Sequence, residues 1–133
     1  MATIRSEIKT AARAVDVWSA VRDIGALHTR LVPGFVTDTT LERGARIVTF
    51  VNGVVLREPI VTIDDEARRL VWTHEGGRAK YYNGALPVSV AQDGSTSVVW
   101  TADFLPDDLD AYFGRAIEAG MAAMQAALDQ LAA

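Results

Sequence analysis

Few side chains in this sequence are suited to chemistry, and they lie far apart along the chain. The 133 residues include two histidines, His28 and His74, and no cysteine, so thiol catalysis and a disulfide framework are both excluded. Two distant histidines without cysteine form no recognisable metal-binding pattern, so we predict no metal site. There is also no G-x-S-x-G motif, phosphate-binding loop or dinucleotide fingerprint, and we expect no cofactor. The remaining acid–base candidates are Glu58, His74 and Tyr82.

Strand parity places these candidates on interior faces. Alternate residues of a strand share a face, so His74 lies on the same side of its strand as Trp72. The same parity puts Tyr82 on an inner face of the following strand. A buried carboxylate without a partner is costly, so we expect Glu58 to be paired, protonated or hydrated. Arg46 and His74 are the two alternative partners.

The elements that position these residues follow from hydrophobic periodicity. Alternation over residues 3–10 predicts a strand, and a change to helical spacing then predicts two short helices before residue 33. Six strands joined by tight turns account for residues 35–104. Asn52-Gly53 predicts a two-residue type I′ hairpin turn. Pro59 predicts either an edge strand or a bulge.

The last segment, residues 107–131, organises the rest of the chain. Its apolar residues recur at steps of three and four, which is the pattern of a long amphipathic α-helix. No other helix is long enough to cover this apolar stripe, so we expect it to lie on the concave face of a curved sheet. Residues 120–124 are small or flexible and fill space poorly, which predicts a cavity beneath them.

Composition limits the classes of partner. The length suits a single domain spanning residues 1–133. Net charge is −4 and the basic residues are scattered, which argues against nucleic acid as a partner. No apolar run reaches the roughly 18 residues of a membrane span, and the N-terminus has no apolar signal sequence. We therefore expect a cytoplasmic protein.

Several short motifs, in order along the chain, resemble one known family. They are Ala14-Val15-Asp16-Val17-Trp18, Val21-Arg22-Asp23, Pro33-Gly34, Gly44-Ala45-Arg46, Arg57-Glu58, Ile63-Asp64-Asp65, Leu70-Val71-Trp72, Trp100, Phe104 and Pro106. Together with the long C-terminal helix they resemble the START-related (SRPBCC) superfamily, which includes bacterial polyketide cyclase/dehydrase and lipid-transport proteins. The small bacterial members of that superfamily are the most similar.

The resemblance implies an α+β helix-grip fold. In this fold a curved, mainly antiparallel seven-stranded sheet wraps around a long C-terminal helix, with two short helices between strands 1 and 2. Family members typically bind an apolar small molecule between sheet and helix, and only some are enzymes. The resemblance also implies a monomer or a homodimer.

The leading hypothesis is binding of a hydrophobic or aromatic small molecule in a cavity between the sheet and the C-terminal helix. The expected lining residues are His28, Leu31, Phe35, Glu58, Trp72, His74, Tyr82, Trp100, Phe113, Ile117, Met121 and Met124. The alternative is a polyketide cyclase/dehydratase-type enzyme that uses the same cavity, with Glu58, His74 and Tyr82 as catalytic candidates. A third hypothesis is an interaction module whose helix face serves only as core.

Overall fold

Seven strands form one antiparallel sheet in the spatial order β1-β7-β6-β5-β4-β3-β2. The computed structural model describes all of residues 1–133. The strands are β1 (Ala2–Thr10), β2 (Val36–Glu42), β3 (Ala45–Phe50), β4 (Val55–Asp64), β5 (Arg69–Thr73), β6 (Tyr81–Val90) and β7 (Thr96–Leu105). Strands β2 to β7 are neighbours in both sequence and space because short turns connect them. Strand β1 closes the arrangement by pairing with β7.

Two short helical segments follow β1, as predicted. Helix α1 spans Ala14–Arg22, and a 3₁₀ turn (Ile24–Ala26) leads into a π-helical turn (Leu27–Leu31). The long helix α2 spans Asp110–Leu131 and continues a 3₁₀ turn at Asp107–Leu109. The predicted helix-grip fold is therefore confirmed. No helix is both long and apolar enough to cross a membrane.

The β3–β4 connection differs from the predicted type I′ turn. Gly53 has a φ of +89°, whereas Asn52 does not have positive φ. The amide of Gly53 donates to the carbonyl of Phe50, and the amide of Phe50 donates to the carbonyl of Val54. The loop is thus longer than the two residues of a type I′ turn, and only its glycine needs the left-handed conformation.

Pro59 does not mark an edge strand. Strand β4 lies inside the sheet between β3 and β5, which excludes the edge alternative. The pairing register of β4 with β5 shifts between Ile60 and Thr62, so a bulge follows the proline. An extra residue on one strand bends it, and the bend contributes to the curvature around α2.

The centre of α2 is closely packed. Gly120 faces the sheet, and a Cβ atom there would lie 2.8 Å from Cζ3 of Trp100 and 3.1 Å from Cε2 of Phe35. These two rings fill the space beneath the glycine. The predicted cavity beneath residues 120–124 is therefore filled at Gly120, because the small residue admits large rings from the sheet side, whereas Met124 at the end of that stretch lines the open volume.

Candidate ligand-binding cavity

A cavity of about 460 Å³ lies between the sheet and α2. On the helix it extends along the stretch from Tyr112 to Ala119 and reaches Met124. Val51 of the β3–β4 turn lines it and is 64% exposed, and exposed Arg115 of α2 also lines it. The cavity therefore opens to solvent between the β3–β4 turn and α2.

Most of the residues expected at the site lie together around this cavity. The lining includes Leu31, Phe35, Glu58, Trp72, His74, Tyr82, Trp100, Phe113, Ile117 and Met124. His28 and Met121 are not part of the lining. Nδ1 of His28 lies 3.0 Å from Oγ1 of Thr39, which fixes the imidazole against β2. Met121 is buried in the hydrophobic core cluster outside the cavity.

A row of polar side chains crosses the inner end of the cavity. Nε of Arg46 on β3 donates to Oε1 of Glu58 on β4 at 2.8 Å. Nε2 of His74, just beyond β5, lies 3.2 Å from Oε2 of the same carboxylate. Both expected partners of Glu58 are thus used at once. Adjacent strands supply the three groups. Arg46 and Glu58 are directly paired across β3 and β4, and His74 follows the end of β5.

The ion pair decides the charge state of Glu58. Burial by itself would raise the pKa of this carboxyl, but the charge of Arg46 and the hydrogen bond from His74 outweigh it. The pKa of Glu58 is consequently lowered below its ordinary value. An ionised carboxylate with both oxygens occupied is a poor proton donor. Glu58 therefore orients His74 and is unsuited to act as a general acid.

Tyr82 is held as a neutral phenol. Its side chain is 2% exposed, and burial raises the pKa of the hydroxyl, with a further contribution from the nearby charge of Glu58. The phenol oxygen accepts a hydrogen bond from Nε1 of Trp100 at 3.2 Å. A neutral phenol donates a proton in a hydrogen bond but does not act as a base near pH 7.

Aromatic rings form the walls around these polar groups. The His74 and Tyr82 rings are stacked with centroids 3.7 Å apart and an interplanar angle of 3°. Trp72 and Trp100 meet edge to face at 5.8 Å. Gly84 on β6 makes this packing possible, because a Cβ there would lie 2.6 Å from the Trp72 ring. The walls are therefore interlocked aromatic surfaces.

Several lining residues were not among those expected. Arg46 lines the cavity in addition to pairing with Glu58, and its parity with buried Val48 on β3 indicates an inward face. Leu86 follows Tyr82 at an even spacing on β6 and was likewise identifiable. Tyr112 and Ala116 follow from their four-residue spacing on α2.

No group of three or more histidine, cysteine, aspartate or glutamate side chains is arranged to hold a metal ion. The polar side chains that line the cavity are Arg46, Asn52, Glu58, His74, Tyr82, Tyr112 and Arg115, and the single carboxylate is fully engaged by its neighbours.

A curved antiparallel sheet that grips a long helix over an apolar cavity defines the helix-grip class of proteins. The chain belongs to the family described as polyketide cyclase / dehydrase and lipid transport, and the match spans residues 1–133. No curated protein sequence matches the chain.

Solved structures share the fold. A protein from Thermobifida fusca is 32% identical, with a TM-score of 0.78 and coverage of 98% of this chain and 95% of that one. A START superfamily protein from Mycobacterium smegmatis shares the fold at 13% identity, with a TM-score of 0.78 and coverage of 97% and 98%. Norcoclaurine synthase from Thalictrum flavum shares it at 22% identity, with a TM-score of 0.75 and coverage of 98% and 86%.

Proposed function

We propose that the protein binds a hydrophobic or aromatic small molecule in the cavity between the sheet and α2. The observation that carries the proposal is the lining, in which 20 of 25 residues are hydrophobic. A mostly apolar concave site with a few convergent polar groups is typical of small-molecule pockets, which have volumes of about 300–1,000 Å³. The cavity volume of about 460 Å³ lies within that range.

The aromatic walls favour a flat ligand. Trp72, Trp100 and Phe113 present ring faces and edges around the open volume, and aromatic ligands pack well against such surfaces. Norcoclaurine synthase from Thalictrum flavum, which shares only the fold with this chain, has been solved with dopamine and hydroxybenzaldehyde. The fold is therefore able to hold aromatic molecules. A cytoplasmic location and a monomeric or homodimeric state belong to the same proposal.

Tryptophan fluorescence provides the test. Trp72 and Trp100 line the cavity, whereas Trp18 lies outside it and donates to Asp65 at 2.9 Å. In a Trp18→Phe variant, 2-naphthol should quench the two remaining tryptophans in a saturable manner. Quenching that rises only linearly with 2-naphthol, without saturation, would contradict the proposal.

A pair of helix variants supplies the control. Ala116 lines the cavity, whereas Ala122 lies on the exposed side of α2. Ala116→Phe should fill the open volume and abolish saturable quenching, while Ala122→Phe should leave it unchanged. Equal binding by both variants would place the binding site elsewhere.

One observation favours an enzymatic role as the second candidate. His74 lies in the cavity with Nε2 oriented by a carboxylate, which is the arrangement of a positioned general base. In a polyketide cyclase/dehydratase-type reaction His74 would remove a proton from the bound chain, and Tyr82 would donate a hydrogen bond to a carbonyl oxygen. Turnover of a poly-β-keto substrate that is unchanged in His74→Ala would exclude this role.

A further inference from the structure

The Tyr82 hydroxyl is incompletely hydrogen-bonded. The side chain is 2% exposed and lines the cavity. The hydroxyl oxygen accepts a hydrogen bond from Nε1 of Trp100, but the hydroxyl donates no hydrogen bond to a protein atom. A buried donor without an acceptor costs free energy. The hydroxyl hydrogen is thus free for an acceptor that comes from outside the protein.

The position of this donor is fixed before any ligand arrives. Stacking on His74 and contact with the Phe113 ring, whose centroid is 5.1 Å away, hold the tyrosine ring in place. The hydrogen bond from Trp100 to the phenol oxygen strengthens the hydroxyl as a donor, since linked hydrogen bonds polarise one another. A ligand therefore loses little free energy in ordering this contact.

The charges around the cavity indicate a neutral acceptor. The positive charge of Arg46 is balanced by Glu58, whose two oxygens are occupied by Arg46 and His74. The other lining arginine, Arg115, is exposed at the cavity opening, so no unbalanced positive charge remains beside Tyr82 to compensate a ligand carboxylate. An unpaired charge in an apolar cavity is costly. A carbonyl oxygen accepts a hydrogen bond without bringing a charge.

We propose that Tyr82 recognises the carbonyl oxygen of a neutral, otherwise apolar aromatic ligand. The inference rests on the proposed function and specifies the ligand class. The ketone or related carbonyl group contacts the Tyr82 hydroxyl, and the aromatic body lies against Trp72 and Trp100. Carboxylate analogues of the same size are disfavoured.

Three naphthalenes of similar size test this proposal by competition with the neutral fluorescent probe N-phenyl-1-naphthylamine. 2-Acetylnaphthalene carries the carbonyl group, 2-ethylnaphthalene lacks it, and 2-naphthoate carries a charge. The wild-type protein should bind the ketone about 3- to 10-fold more tightly than the ethyl compound, as expected for one neutral hydrogen bond. The carboxylate should bind most weakly.

Two tyrosine variants identify the residue responsible. Tyr82→Phe should remove the preference for the ketone and leave affinity for 2-ethylnaphthalene unchanged. Tyr81→Phe, which removes the hydroxyl of an exposed neighbour, should retain the preference. A preference for the ketone that persists in Tyr82→Phe, or tighter binding of 2-naphthoate than of the ketone, would refute this inference but not the proposed function. Failure of all three compounds to bind the wild-type protein would refute the proposed function itself.

Discussion

Removing the charge of Glu58 should strongly destabilise the fold. Glu58 and Arg46 form an ion pair at 2.8 Å with side chains that are 4% and 3% exposed. Glu58→Gln keeps the shape of the side chain but leaves the Arg46 charge buried without compensation. Breaking a buried ion pair by removing one partner costs about 3–5 kcal/mol.

A second ion pair of equal length provides the matched control. Arg57 and Glu75 also meet at 2.8 Å, but their side chains are 35% and 58% exposed. Arg57 additionally keeps Glu42 as a partner at 2.9 Å. Exposed ion pairs contribute about 0–1 kcal/mol, so Glu75→Gln should change the unfolding free energy by no more than that.

Urea unfolding of the wild type and both variants measures the two free energies. The slope against urea should stay constant, and the midpoint should fall strongly for Glu58→Gln only. If both variants lose the same free energy, or if Glu58→Gln loses less than about 1 kcal/mol, burial does not govern the strength of this pair and the reasoning fails.

The pH dependence of the same pair has a defined sign. The pKa of Glu58 in the folded protein is lower than its ordinary value of 4.5. A lowered pKa stabilises the fold fully above the ordinary pKa, and this stabilisation is lost as pH falls through the folded pKa. The free-energy difference between wild type and Glu58→Gln should thus narrow as pH falls below about 4. A difference that keeps widening below that pH would contradict the assignment.

Two further comparisons test the packing of α2. Gly120→Ala should destabilise the protein despite its gain in helix propensity, because the new Cβ meets the Trp100 ring at 2.8 Å. The nearest atom to a Cβ at Gly114 is 4.0 Å away, so Gly114→Ala should stabilise the protein by about 0.5–1 kcal/mol in thermal unfolding. Met124→Ala, at the cavity wall, should lose less stability in urea than Leu128→Ala, whose side chain is fully buried away from the cavity. Equal effects within either pair would show that the helix environment is uniform.

The architecture was predictable because it depends on patterns that are local in sequence. Tight turns between alternating segments require antiparallel neighbours, and the apolar stripe of α2 requires a surface to cover it. Parity along β5 placed Trp72 and His74 on one face, and both line the cavity. These conclusions need no knowledge of how distant side chains pack.

The features of the site that differ from the sequence predictions depend on contacts between distant elements. The cavity is displaced from Gly120 because Trp100 and Phe35, from two separate segments, meet beneath it. His28 is directed to Thr39 by a π-helical turn that helical spacing did not indicate. Glu58 engages both candidate partners because β3, β4 and the end of β5 converge on it. Side-chain packing across the sheet determines each of these outcomes.

Two methionines on α2 allow the most direct test of the cavity as a binding site. Met121 and Met124 are 3% and 2% exposed, but only Met124 lines the cavity. In a protein labelled with ¹³C at the methionine methyl groups, titration with 2-naphthol should shift the Met124 resonance saturably through the aromatic ring current and leave Met121 nearly unchanged. Saturable shifts at Met121 without Met124, or at neither, would contradict binding beneath the helix.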